Sequence, residues 1–538
     1  MIISRITGFI CLLFIIIWSL NRCTKPESGV VSTATPEATE AGAIILNKGG
    51  NAIDAAVAVS FALAVTEPAM SGLGGGTQML VGPKDQDPFL INGTTFSPKA
   101  TPEAIDKDSI TYHRRSTIPS TVKTLYFAWK NYGSGNVSWK ECISPSIELA
   151  KEGFIVGPFR YKVYKRYANQ LLNSPYHTSH LLIDGRIPME GEVLRQPAFA
   201  HTLEKISDKG GDEFYQGEIA RIMADDFENY GGWITYQDLY DFPDPLVLKA
   251  LHTEFNGYDV YTAPPPCGGW TLLLALNLFS VLEPSGNHTL EESIIQSLKM
   301  AHLDRKNNPV TDLRDYQSEI DAKFNTSYAR QLLQYKDETT RIEENDSGET
   351  THFSIVDREG NVVAVTASIN AYFGARAASE ELGFLYNTYM DDFTYDDPKH
   401  PFTIGPGKMA YSSMTPTILK KDGKNVMAIG SPGSARIISA VFQIISRWVH
   451  SDESIKDIVE MPRIHVNHPN LYMESPQDTS IHDSIAETLN LQFTSVRSDL
   501  SINGLNAYFG GIHCVAFEKG RWLGVADPRR DGSVSLIQ

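Results

Sequence analysis

Two adjacent threonines, Thr350 and Thr351, open an alternating β-branched run, TTHFSIVD, directly after the polar, acidic stretch QLLQYKDETTRIEENDSGE at 331–349. That juxtaposition suits one chemistry. If the Glu349–Thr350 peptide bond is cut, the Thr350 α-amine, with a pKa near ~8, lies beside its own hydroxyl and takes that proton at neutral pH. An internal threonine has no built-in base. The upstream stretch has the composition of an exposed connector, and a strand downstream would hold the nucleophile. A threonine pair at a strand start also satisfies plain β propensity, so its surroundings must decide.

The elements around it read as follows. HFSIVD and NVVAVTASI flank the turn Arg358-Glu359-Gly360 and predict a hairpin; a second alternating pair spans Thr415–Leu419 and Val426–Ile429. The last strands are expected near Gly511–Phe517 and Trp522–Val525. Earlier, Gly42–Val65 reads as an apolar helix pair broken at Gly49-Gly50-Asn51. Ser71-Gly72-Leu73-Gly74-Gly75-Gly76 then feeds a strand at Thr77–Val81. No Lys-Ser/Thr follows those glycines, so they signal close backbone approach or a turn and not a phosphate loop. Residues 138–282 read as mostly helical, interrupted by Pro243, Pro245 and the rigid corner Pro264-Pro265-Pro266-Cys267-Gly268-Gly269. Helices early and a sheet in the last third favour a layered α/β architecture.

Composition sets outer limits. The 538 residues are 42% hydrophobic and 21% charged with five cysteines, which excludes a disulfide-stapled mini-protein and a disordered tail. Lys and Arg total 47 against 64 Asp and Glu, a net charge of −17 that disfavours nucleic acid as a partner. Cys11, Cys23, Cys142, Cys267 and Cys514 form no metal-ligand spacing, and neither metal nor cofactor is expected. Arg5 ahead of the apolar run Phe9–Leu20 predicts an export signal over residues 1–29. Cys23 leaves three fates open: lipoprotein, uncleaved membrane anchor, or secretion to the periplasm or medium.

From Val30 to Gly532 the chain resembles the gamma-glutamyltransferase family of N-terminal-nucleophile hydrolases. The residues that carry the resemblance are GGNAIDAAVAVSFALAVTEP with SGLGGG, DEFYQGEIA at 212–220, YTAPPPCGG, TTHFSIVDREGNVVAVTASIN, MDDF, YSSMTPT, GSPGSARI and DPRRDG. The resemblance implies a four-layer αββα sandwich and self-cleavage into a large subunit, residues 30–349, and a small one, 350–538, that stay together as a heterodimer. It implies Thr350 as the nucleophile that takes a γ-glutamyl group as an ester, for release to an amine, a dipeptide or water. Ser368 matches a threonine that supports the nucleophile. Gly433 and Ser434 match a glycine pair whose N–H groups form an oxyanion hole, and Ser434 restricts φ there. Asn370 and Asp392 match positions that bind the α-amine of the γ-glutamyl group; Ser412 and Ser413 match donors to its α-carboxylate.

Two positions depart from the family. Thr94 stands where relatives place an arginine against the α-carboxylate, and Tyr389 replaces an amine-binding glutamine. Arg114 or Arg115 is the candidate replacement cation. The short connection from Asp392 to Ser412 predicts an open groove that admits bulky donors, as in the family's poly-γ-glutamate-processing lipoproteins, which Asp304-Arg305-Lys306-Asn307 also resembles. Three functions follow as expectations: an exported γ-glutamyl hydrolase or transferase acting on amides such as glutathione, an acylase of the same fold accepting glutaryl or poly-γ-glutamate chains, and a catalytically silent binding homologue.

Overall fold

The computed structural model describes residues 29–283, 289–334, 348–474, 485–497 and 499–537. The apolar N-terminal run and residues 335–347 of the acidic connector lie outside them; residues 331–334 end a helix, Thr326–Gln334, in place of the connector expected there.

The chain begins with β1 (Gly29–Thr33), α1 (Pro36–Asn47), α2 (Ala52–Thr66), β2 (Gly76–Gly82) and β3 (Phe89–Gly93). After several helices come β4 (Leu246–Lys249), β5 (Leu251–Phe255), β6 (Tyr258–Thr262), α3 (Gly269–Leu282) and α4 (Leu290–Asn307). The C-terminal part holds β7 (Gly348–Val356), β8 (Val362–Ala371), β9 (Thr417–Lys421), β10 (Lys424–Gly430), α5 (Arg436–His450), β11 (His513–Glu518), β12 (Arg521–Ala526) and β13 (Ser533–Ile537). One sheet runs β13-β1-β7-β8-β2-β3-β4 and the other β12-β11-β10-β9-β6-β5.

Side-chain alternation stacks these sheets into four layers. Met79, Val81, Val363 and Val365 point to the core shared with α1 and α2, whereas Leu80, Val362 and Ala364 point the other way, onto Ile418, Ala428 and Val515 of the second sheet. The outer face of that sheet, with Leu419, Met427 and Ile429, packs on α3, α4 and α5. The observed architecture is the αββα sandwich. β7 is covered on both faces, and all nine of its residues are buried although five of them are polar.

α2 is alanine-rich because it is buried along its whole length. Its start is set by Asn51, which caps the N–H groups of Ile53 and Asp54 while the Asp54 carboxylate accepts from the Asn51 N–H. The glycine run is a close backbone approach: a Cβ at Gly74 would lie 2.1 Å from the Leu385 carbonyl oxygen, and one at Gly75 2.1 Å from that of Ser368.

The expectation of a mostly helical span to residue 282 is corrected by β4, β5 and β6. Asn256 and Gly257, at φ +48° and +77°, form the tight turn between β5 and β6, an Asn-Gly hairpin signal submerged among helices on both sides. Both sheets mix strands from before and after Thr350; β1, for example, lies between β13 and β7.

The closing DPRRDG run anchors the small part of the chain. Asp527 accepts from the Ile512 N–H at 2.7 Å and pairs with Arg463 and Arg529, and Arg529 reaches Glu474 at 3.0 Å, all buried. Arg463 and Arg529 hold the Asp527 carboxyl well below the usual range against the opposing effect of burial. The contribution of this carboxylate is therefore present at neutral pH and lost as pH falls through its depressed value. Asp527→Asn should lower unfolding free energy by about 3 kcal/mol at neutral pH, read by urea denaturation, because it leaves two buried guanidiniums under-compensated; a change within experimental error would show that the network contributes little.

Candidate active site

The site is built on an irregularity between β7 and β8. Their register runs regularly to the pair Ala367–Thr351 and shifts before Asn370–Glu349. Such a bulge re-aims side chains. Here it brings the Ser368 hydroxyl to the carbonyl oxygen of Glu349, to which it donates at 2.6 Å while accepting from the Asn370 N–H at 2.7 Å. The hydroxyl therefore sits on the carbonyl of the peptide bond that precedes Thr350.

Thr350, Ser368, Asn370, Tyr389, Asp392, Ser412, Ser413 and Ser434 line one cavity of about 240 Å³. Eight of the ten residues expected from the sequence are thus brought together. Asn370, at φ +72°, is held by its side-chain N–H to the Thr388 carbonyl at 3.0 Å. Burial chiefly, and the neighbouring Asp391 carboxylate, push Asp392 up to about 7. Burial likewise keeps the Tyr389 phenol protonated.

The proline corner positions the two serines. The Pro266 carbonyl accepts from the Ser412 N–H at 3.2 Å, and the Gly268 N–H donates to the Met414 carbonyl at 3.2 Å. The Ser413 hydroxyl oxygen accepts from Arg305 Nη2 at 2.9 Å, so its own proton is directed elsewhere. Arg305 stacks on the Tyr411 ring, 4.5 Å from its centroid.

Gly433 and Ser434 form the turn between β10 and α5, at φ +120° and +53°. A serine in the left-handed region costs about 1 kcal/mol, and its side chain crowds the strand start: a Cβ at Gly348 would lie 3.2 Å from Ser434 Cβ. Ser434 lines the cavity, whereas Gly433 lies beside it against Arg436 and Gly510.

Two expectations are corrected. Thr94 does not line the Thr350 cavity. Its hydroxyl is engaged by Gln78 Nε2 at 3.0 Å and by Asn92, and it borders a separate cavity of about 120 Å³; the side chain is too short to cross from the end of β3. Nor does Arg114 or Arg115 supply the missing cation. Arg115 Nε donates to Asp391 at 3.0 Å, and Arg114 donates to the Gly231 carbonyl over the Trp233 ring. Lys107 instead lines the cavity, an exposed lysine in the short 3-10 turn Lys107–Ser109 that no sequence pattern singled out. The segment between Asp392 and Ser412 adds Phe393, Thr394 and Tyr411 to the cavity wall.

Residues 38–537 match the gamma-glutamyltranspeptidase family. The glutathione hydrolase proenzyme of Bacillus subtilis is 32% identical over 94% of this chain and 91% of its own length, and that of Escherichia coli is 32% identical over 82% and 81%. Among solved structures, cephalosporin acylase from Bacillus halodurans superposes with a TM-score of 0.83 at 24% identity, covering 95% of this chain and 96% of that one, which establishes the shared fold. The chain belongs to the gamma-glutamyltranspeptidase family of N-terminal-nucleophile enzymes.

Proposed function

We propose that the chain is an exported enzyme that cuts itself between Glu349 and Thr350 and then transfers γ-glutamyl groups through Thr350 to an amine, a dipeptide or water. The observation that carries this reading is the Ser368 hydroxyl on the Glu349 carbonyl, 2.6 Å away, in the wall of a cavity lined by Thr350. In self-cleavage the Thr350 Oγ attacks that carbonyl carbon. A C–O bond forms as the C–N bond breaks, and the hydroxyl proton passes to the departing nitrogen. Water then hydrolyses the ester, leaving a Glu349 carboxylate and a free Thr350 amine. Ser368 stabilises the oxygen that becomes negative.

The freed amine next serves as base. It takes the Thr350 hydroxyl proton as Oγ attacks a γ-glutamyl amide and gives it to the leaving amine, and a second nucleophile releases the acyl group. Backbone N–H groups at Gly433 and Ser434 are assigned to the oxyanion. Asp392 and Asn370 are assigned to the substrate ammonium, and Ser412 and Ser413 to its carboxylate. Lys107 takes the cationic role that Thr94 cannot fill. No step calls for a cofactor. The cut pieces, 30–349 and 350–538, stay together because each contributes strands to both sheets. The relatives named glutathione hydrolase suggest glutathione as a donor. A second reading, an acylase preferring glutaryl amides, is favoured by a cavity that lacks a side chain from position 94 and by an Asp392 that is partly protonated at neutral pH.

N-terminal sequencing of the matured protein should find a fragment starting at Thr350, while Thr350→Ala should remain a single chain and Ser368→Ala should mature at least about tenfold more slowly. An intact wild-type chain after prolonged incubation would overturn the reading. For γ-glutamyl anilide, KM should rise as pH falls through about 7, since protonation removes the Asp392 charge that holds the ammonium. Glutaryl anilide, which has no amine, should not share that rise, and a flat γ-glutamyl profile would remove Asp392 from the role. Lys107→Gln should raise KM about threefold to tenfold for γ-glutamyl and glutaryl anilides, and far less for 4-aminobutyryl anilide, which lacks the carboxylate.

A further inference from the structure

The side chain of Glu349 is held as firmly as its carbonyl. Its carboxylate receives Arg436 Nη2 at 3.0 Å and Arg530 Nη2 at 2.8 Å, and all three residues are buried. Each guanidinium is backed by a ring: Arg436 lies 4.4 Å from the Tyr508 centroid and Arg530 4.8 Å from that of Phe159. Arg530 also faces Glu67, at 3.9 Å. This is a built carboxylate site with its occupant in place.

Glu349 and Arg436 also border a second cavity, with Arg530 buried behind them against Phe159. Successive residues of a strand face opposite ways. Gly348 and Thr350 border the 240 Å³ cavity, and Glu349 borders another of about 320 Å³ with Arg166, Tyr372, Arg436, Arg497 and Tyr508. Ser434 and Arg436, two residues apart, likewise divide between the two. The start of β7 is therefore a shared wall, and its last residue before the proposed cut is the one the arginines grip.

We propose that, once the Glu349–Thr350 bond is cut, Glu349 withdraws and the Arg436–Arg530 pair becomes a binding site for a carboxylate on the leaving or accepting amine. The ligand class is an amino acid or peptide whose own carboxylate takes the place of the Glu349 side chain. This inference rests on the self-cleavage reading and extends it to the amine side of the reaction. The Asp392 side of Thr350 would hold the acyl group, and the arginine-rich cavity would hold what leaves or arrives. Two guanidiniums that have closed on one carboxylate are matched in charge and geometry to another.

The test uses the matured wild-type heterodimer and two donors that differ only in the leaving group, γ-glutamyl 4-nitroanilide and γ-glutamyl 3-carboxy-4-nitroanilide. The carboxylated donor should show a KM lower by about fivefold or more, and sodium acetate should raise its KM while barely moving that of the neutral donor. Arg436→Gln and Arg530→Gln should bring the ratio of the two KM values to about one. If either variant fails to mature, the acetate competition on wild type decides. Equal KM values for the two donors, or equal inhibition of both by acetate, in an enzyme that has been cut and turns over would overturn the inference and leave the proposed function standing. A wild-type chain that is never cut would instead remove the reading on which it rests.

Discussion

The arrangement depends on one peptide bond being gripped from both sides while it is still part of a strand. The Glu349 carbonyl carries the Ser368 hydroxyl, the Glu349 side chain carries Arg436 and Arg530, and the following residue is continuous with β7 in the middle of a sheet. A bond so restrained has little orientational freedom left to lose on the way to the proposed cleavage, which is how positioning lowers a barrier. It also accounts for a proposed nucleophile, Thr350, that lies in a strand and not on a loop. β8 pairs with Glu349 and Thr351 on one side, β1 holds the strand farther along at Ser354–Val356, and the bulge in β8 does the aiming.

Long-range packing supplies every other wall of the site. The proline corner at 264–269 comes from the part of the chain before the proposed cut, yet it sets Ser412 and Ser413 through two backbone hydrogen bonds. Gly75 must lack a side chain because the Ser368 carbonyl occupies that space, so the glycine run supports the bulge from behind. Arg305 reaches from α4 to direct the Ser413 hydroxyl. Pieces distant in sequence thus converge on a cavity whose charges are mixed: Asp391 is matched by Arg115, and Asp392 and Lys107 both line the wall.

Much of this was legible in the residues. The β7–β8 hairpin and the β9–β10 pair announced themselves by alternation and turn residues, α1 and α2 by apolar periodicity, and the glycine run by the absence of any phosphate-loop partner. The β5–β6 hairpin is also written locally, in Asn256-Gly257, but the helical pattern on either side of the β4–β6 strands masks it. The burial of β7 on both faces, and the bulge between Ala367 and Asn370, carry no local signal, since both arise from which strands pair and in what register.

Residue types alone supply an inventory of chemistry: a threonine suited to the proposed role of nucleophile and base, hydroxyls and a carboxylate suited to a zwitterionic acyl group, and a turn rich in backbone donors. Resemblance to a family ordered that inventory into roles. Only the tertiary structure decided which side chains face the cavity, turning Thr94, Arg114 and Arg115 away and presenting Lys107, and only it joined Glu349 to Arg436 and Arg530 across 87 and 181 residues of sequence. The physical reason is that residue type and local periodicity specify what a side chain can do and which face it occupies, whereas the partner of a buried charge is chosen by the packing of whole layers.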